Sequence, residues 1–115
     1  MAPPLEGKIG LVTGAGVRMG RAIALALGTA GADVAVHFLR SRVGAESTAE
    51  EIRSAGRRAV VVSGDLGRPD DCRRVVRDSI TGLGGLDFLV HSAANFHRAS
   101  LAETDEELWD SAMDV

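Results

Sequence analysis

The stretch Ile9-Gly10-Leu11-Val12-Thr13-Gly14-Ala15-Gly16-Val17-Arg18-Met19-Gly20 decides how the rest of the chain is read. The apolar run Ile9–Thr13 predicts a short buried strand. It leads straight into a turn carrying three glycines. A helix-period segment, Arg18–Ala30, follows at once, with Ile23, Ala26, Leu27 and Ala30 on one face. In that setting a glycine-rich turn points to phosphate. The first N–H groups of the helix have no partner within it, and the positive end of its dipole faces the turn. Gly14 permits the sharp turn, Gly16 lets backbone approach a pyrophosphate, and Gly20 lets the helix sit close on the strand. The third glycine comes one residue later than in G-x-G-x-x-G, and no Gly-Lys-Ser/Thr follows, so the turn is not a P-loop. A tight turn that binds nothing is the alternative reading.

Outward from this stretch the same alternation continues. Asp33–Phe38 predicts a second strand. Val43–Ala55 predicts a helix with Ala45, Ala49 and Ile52 at i, i+4, i+7 and Gly56 as its C-cap. Ala59–Ser63 predicts a third strand. Pro69–Leu83 predicts a helix with Pro69 in its first turn and an apolar face of Cys72, Val75, Val76, Ile80 and Leu83. Leu86–Ser92 predicts a fourth strand, and the capping box Thr104-x-x-Glu107 opens a fourth helix. Strands and helices that alternate at these lengths imply an α/β fold: a doubly wound parallel sheet with right-handed crossovers and helices on both faces. The strands read as nearly continuous apolar runs, as buried parallel strands do. Residues 1–7 read as a short tail, and residues 8–115 as one domain.

Composition narrows the classes further. At 115 residues, with 45% hydrophobic and 25% charged residues, the chain has the balance of a single ordinary globular domain. A net charge of −3 supplies no general basic field for nucleic acid. The N-terminus lacks the pattern of a secretory signal, and no apolar run approaches a membrane span. The single cysteine, Cys72, makes neither an internal disulfide nor a cysteine-rich metal site, and its place in an apolar stripe reads as packing. His91 and His97 lack metal-ligand spacing. These features predict a cytoplasmic protein with no nucleic-acid or membrane partner and no metal. Tyrosine is absent, and Lys8 is the sole lysine, the remaining basic residues all being arginine.

The motif Thr13-Gly14-x-x-x-x-x-Gly20 after a first strand resembles the cofactor loop of the short-chain dehydrogenases/reductases. Other segments match that family in order. Gly64-Asp65-Leu66 follows the third strand, where the family has an Asp beside the adenine. His91-Ser92-Ala93-Ala94 stands where it has Asn-Asn-Ala-Gly, with both asparagines replaced and Ala94 in place of the glycine. Trp109–Val115 resembles the helix that leads to its catalytic Asn. The resemblance covers residues 6 to 115 and implies a Rossmann-type sheet, incomplete at about four strands, in the order 3-2-1-4. Arg18 occupies the place of a usual loop glycine and resembles the pteridine-reductase-like branch.

A dinucleotide then implies a set of contacts. Gly14, Gly16, Arg18, Met19 and Gly20 form the loop. The end of the second strand reads the adenosine ribose, where an acid would select NAD. This chain offers Arg40, Ser41 and Arg42 instead, with Arg18 in the facing loop. Guanidinium groups and a hydroxyl suit a 2′-phosphate, so the expected cofactor is NADP(H). A solvated arginine surface is the alternative. His37 either bonds near the ribose or is a structural histidine. Asp65, beside Leu66, either accepts the adenine amino group or caps the turn with Gly67. Ser92, Ala93 and Ala94 are small enough for backbone to pass close to a ribose, or simply permit a tight strand end.

In the resembled family, hydride transfer uses a Tyr-x-x-x-Lys pair, a Ser and an Asn. This chain has no Tyr, so no catalytic residue is assigned. It reads as the cofactor-binding half of an NADPH-dependent reductase, a homo-oligomer when full length, acting on a carbonyl or pterin-like small molecule. A 3-oxoacyl thioester or other carbonyl reductase of the same family, and a non-catalytic NADP-binding module, remain alternatives. Leu86–Val90 would be an apolar sheet edge, which predicts marginal stability or self-association of the isolated chain.

Overall fold

The computed structural model describes residues 3–16 and 18–92. The elements run β1 (Ile9–Thr13), α1 (Arg18–Thr29), β2 (Asp33–Phe38), α2 (Arg42–Ser54), β3 (Ala59–Ser63), α3 (Pro69–Leu83) and β4 (Phe88–His91). All strand pairs among the described residues are parallel, and the sheet order is β3-β2-β1-β4, as the family resemblance implies. Ala93, Ala94, the helix expected from Thr104 and the Trp109–Val115 segment lie outside the described residues.

Successive strand side chains alternate between faces, and each face has its own core. Val12, Val34, Val36 and Phe38 pack with Ala24 of α1 and with Ala45, Ala49 and Ile52 of α2. Leu11, Ala35 and Val62 pack on the other face with Val75 and Leu83 of α3. Burial on both sides explains why these strands carry so few polar residues.

Three sequence expectations need correction. The fully buried stripe of α1 is Gly20, Ala24 and Gly28, at i, i+4, i+8, while of the expected face Ile23 and Leu27 are half-buried against the same core and Ala26 is exposed. Small residues win because the helix lies close to its neighbours: a Cβ on Gly28 would meet Ile52 at 3.2 Å. On α3 the buried line is Val75, Ser79 and Leu83, while Val76 and Ile80 are exposed and Cys72 is half-buried. Cys72, Val76 and Ile80 form a second stripe about 60° round the helix. The expected face merged the two. Finally, β4 begins only at Phe88, because the Asp87 carboxylate accepts the Ile9 N–H at 2.8 Å and a side chain there replaces a ladder bond.

The first described residues are docked to the domain. The Leu5 N–H donates to the Ala30 carbonyl at 2.8 Å, and Leu5 packs against the α1/α2 core. Helix α2 gives way to Ala55 and then Gly56, whose φ of +87° turns the chain toward β3.

Candidate nucleotide-binding site

The carboxyl ends of the strands gather the candidate residues. Gly14–Gly16 follow β1, Arg40 and Ser41 follow β2, Asp65 and Leu66 follow β3, and Ser92 follows β4. β1 and β4 are neighbours, yet α1 and α3 pack on opposite faces of the sheet. This is the switch point where an open α/β sheet leaves a crevice for ligands.

The loop after β1 is built by tertiary contacts. Gly14 has φ +66° and donates its N–H to His37 Nδ1 at 3.0 Å. The Ala15 N–H donates to the His37 carbonyl at 2.9 Å. His37 Nε2–H in turn donates to the Gly64 carbonyl at 2.8 Å, so the neutral ring carries its proton on Nε2. The ring is only 2% exposed, and burial pushes its pKa below the ordinary imidazole value, against the opposing pull of the Gly64 carbonyl. Of the two readings for His37, the structural one describes it: both ring nitrogens are taken by backbone, one from the loop and one from the end of β3.

Gly20 lies so close under the loop that a Cβ there would sit 2.1 Å from the Gly14 carbonyl oxygen. Gly16 plays a part that its sequence context did not reveal. It abuts the start of α2, where a Cβ would meet the Ser41 carbonyl oxygen at 3.0 Å and the Ala45 nitrogen at 3.1 Å. Gly44 makes the reciprocal approach, its absent Cβ lying 2.2 Å from the Gly16 carbonyl oxygen.

At the mouth, Arg18 and Met19 are exposed. Arg18 holds φ +50°, a left-handed conformation that costs a side-chain-bearing residue about 1–2 kcal/mol. Arg40 is exposed as well, and among the described residues neither Arg18 nor Arg40 has an acidic partner. Arg42 differs: it lies 3.5 Å from Glu46 and 5.0 Å over the Phe38 ring. Ser41 precedes α2 without a side-chain cap bond, which leaves its hydroxyl uncommitted to the helix.

On the β3 side, Asp65 Oδ1 accepts the Gly67 N–H at 2.9 Å, so the turn-capping role is the one observed. The Asp65 N–H donates to Asp71 Oδ2 at 2.8 Å. That bond, ahead of the charges of Arg74 and Arg68, holds the Asp71 carboxyl below the usual carboxylate range, against some desolvation. Leu66 packs on the α3-side core, and its carbonyl accepts the Cys72 thiol at 3.0 Å. On the β4 side, the Ser92 hydroxyl donates to the Thr13 carbonyl, and the Ser92 N–H donates to Thr13 Oγ1 at 3.0 Å. That oxygen also lies 2.9 Å from His91 Nδ1. Burial lowers the His91 pKa, with a smaller contribution from the nearby His37. Ser92 thus ties the ends of β1 and β4 together.

Sequence reasoning missed two supporting residues, Gly44 and Thr48, and placed Thr13 in the loop motif without giving its side chain a role. Thr48 has a legible signal, since it falls within the buried stripe of Ala45, Ala49 and Ile52. Gly44 had only the oddity of a glycine in the first turn of a helix.

The fold and the loop define a dinucleotide-type α/β domain, and comparison specifies the family. The chain belongs to the short chain dehydrogenase family, whose pattern matches residues 8–115. An uncharacterized oxidoreductase of Methylorubrum extorquens is 37% identical over 111 residues, covering 96% of this chain and 45% of that protein. A short chain dehydrogenase from Burkholderia cenocepacia, solved in complex with NADP, is 36% identical with a TM-score of 0.77, over 96% of this chain and 45% of that one. Landomycin C-6 ketoreductase, solved with NADP and rabelomycin, is 39% identical with a TM-score of 0.72, over 96% of this chain and 48% of that one. The chain therefore spans a little under half the length of these three relatives. Among the described residues, no helix is long and apolar enough to cross a membrane.

Proposed function

We infer that this chain is the cofactor-binding portion of an NADPH-dependent short-chain reductase that delivers hydride to a small carbonyl substrate. The observation that carries the cofactor choice is the acid-free edge after β2, where Arg40 and Ser41 stand exposed or half-exposed, with the Ser41 backbone against Gly16 of the loop that leads to Arg18. Two guanidinium groups without acidic partners among the described residues suit a 2′-phosphate, and NADH offers only hydroxyls there. The NADP-bound Burkholderia relative is consistent with this choice. The carbonyl substrate class draws support from the ketoreductase among the similar structures.

In this reading the Gly14–Gly16 backbone and the start of α1 hold the pyrophosphate. Arg18, Arg40 and Ser41 hold the 2′-phosphate, and Leu66 and Ser92 border the nucleoside. Bound NADPH supplies the hydride. The chain has no tyrosine, so by itself it binds cofactor and does not turn substrate over. Arg18, standing where the family's loop usually has glycine, favours a pterin-like ring as a second substrate reading. The assembled enzyme is taken to be a cytoplasmic homo-oligomer.

Titration of the chain with NADPH and NADH tests the cofactor assignment. Tighter NADPH binding that Arg40→Ala weakens is the expected result. Equal affinities, or tighter NADH, would overturn it.

A further inference from the structure

The glycine loop is held from two sides that do different work. One anchor is β2: the His37 ring and carbonyl take the N–H groups of Gly14 and Ala15. The other is α2. Thr48, fully buried, places its hydroxyl 3.2 Å from the Ala15 carbonyl and 2.9 Å from the Gly44 carbonyl, donating its one hydrogen between them. The same oxygen accepts from Arg21 Nη1 of α1 at 2.9 Å, and Arg21 Nη2 reaches Glu51 at 2.6 Å. One turn earlier on α2, Gly44 lies directly against the Gly16 carbonyl.

We propose that Gly44 and Thr48 are positioning residues for cofactor choice. They set the distance between the loop that holds the pyrophosphate and the Arg40–Arg42 edge that reads the 2′-phosphate. The inference rests on the NADPH reading above. Both nicotinamide cofactors use the loop, and only NADPH places a phosphate at the edge. Releasing α2 from the loop leaves the His37 anchor in place, so the loop keeps its shape while the start of α2 shifts. NADPH then loses simultaneous engagement of its two phosphate sites, and NADH loses little.

The decisive measurement is the ratio of NADPH to NADH dissociation constants for the full chain and its Thr48→Val and Thr48→Ser variants. Valine keeps the shape and removes the hydroxyl, and serine restores it. Thr48→Val is expected to weaken NADPH about tenfold and NADH less than about twofold, with Thr48→Ser close to the unaltered chain. Gly44→Ala is expected to raise the ratio further. If it does not fold, the two Thr48 variants decide alone. Equal weakening of both cofactors, no weakening of either, or failure of serine to rescue overturns the proposal. A preference for NADH, or no binding, in the unaltered chain overturns the cofactor reading and this inference with it. That result appears before any variant is made, so the two failures are distinguishable.

Discussion

The loop after β1 and the edge after β2 face one crevice, yet they are built on opposite terms. Gly16 and Gly20 are fitted to their surroundings: the start of α2 against Gly16, and the Gly14 carbonyl and Ser92 hydroxyl against Gly20, leave no room for added atoms, while the His37 ring holds the Gly14 N–H. Arg40 carries no such constraint and stands in solvent. Shape specifies the first region and charge the second. The loop can therefore be broken by a single methyl group, whereas the edge can be rewritten without disturbing the fold.

Gly20→Val tests the tighter side of that contrast most severely. A Cβ 2.1 Å from the Gly14 carbonyl oxygen cannot be relieved by rotating a side chain. The expected loss is about 3 kcal/mol or more, read as a fall in the denaturation midpoint. A variant as stable as the unaltered chain would show that the loop is far less constrained than its contacts imply.

His37→Phe comes next. It strands the Gly14 N–H and the Gly64 carbonyl and is expected to cost about 2–3 kcal/mol. The same residue sets a pH dependence. Its folded pKa lies below its unfolded value, so the unfolded chain binds the proton more readily. The stability it supports is present above about pH 6.5 and is lost as pH falls through the lower folded value. Asp71 adds a separate loss in the carboxylate range, since its folded pKa is also lowered. Melts across this range should show the histidine step in the unaltered chain and a much flatter profile in a His37→Asn variant. An unchanged step would assign the titration elsewhere, His91 being the first alternative.

The edge should respond in the opposite way. Arg40→Ala is expected to leave stability within about 0.5 kcal/mol while reducing NADPH affinity about tenfold and sparing NADH. Equilibrium titration and a thermal melt on one preparation give both readings. A variant that lost stability and affinity together would erase the distinction between the two regions.

Arg18 sits on the boundary and carries the smallest expected effect. Its φ of +50° is strained for arginine and free for glycine. Arg18→Gly should gain up to about 1 kcal/mol, less the added backbone entropy of glycine, while weakening NADPH binding. Stabilisation with full affinity would mean that the guanidinium serves neither the fold nor the cofactor.

How far these regions can be read in the chain differs for physical reasons. The apolar runs Ile9–Thr13, Asp33–Phe38 and Ala59–Ser63 coincide with β1, β2 and β3, because strands covered on both faces admit few polar residues. Pro69–Leu83 coincides with α3, marked by its opening proline. On α1 the expected Ile23 and Leu27 do pack against the core, but the fully buried stripe beside them is Gly20, Ala24 and Gly28, because close packing selects small residues that carry little apolar signal. The partners of His37 and Asp65 were undecided for a related cause. A buried histidine and an acid at a strand end each have two chemically sound uses, and nothing local chooses between them.

The order and type of elements, the glycine loop at the first crossover and the acid-free edge after β2 rest on composition, period and spacing along the chain. Each is a property of neighbouring residues, so proximity in sequence suffices to express it. Tertiary structure alone decided that His37 bridges Gly14 to Gly64, that Asp65 caps its own turn, and that Gly16 meets Gly44. The contacts of His37 and Gly16 join residues more than twenty positions apart, and they exist only after the sheet has brought the carboxyl ends of its strands together. Asp65 reaches a residue only two positions on, but its choice of that partner is a matter of side-chain geometry that spacing cannot express.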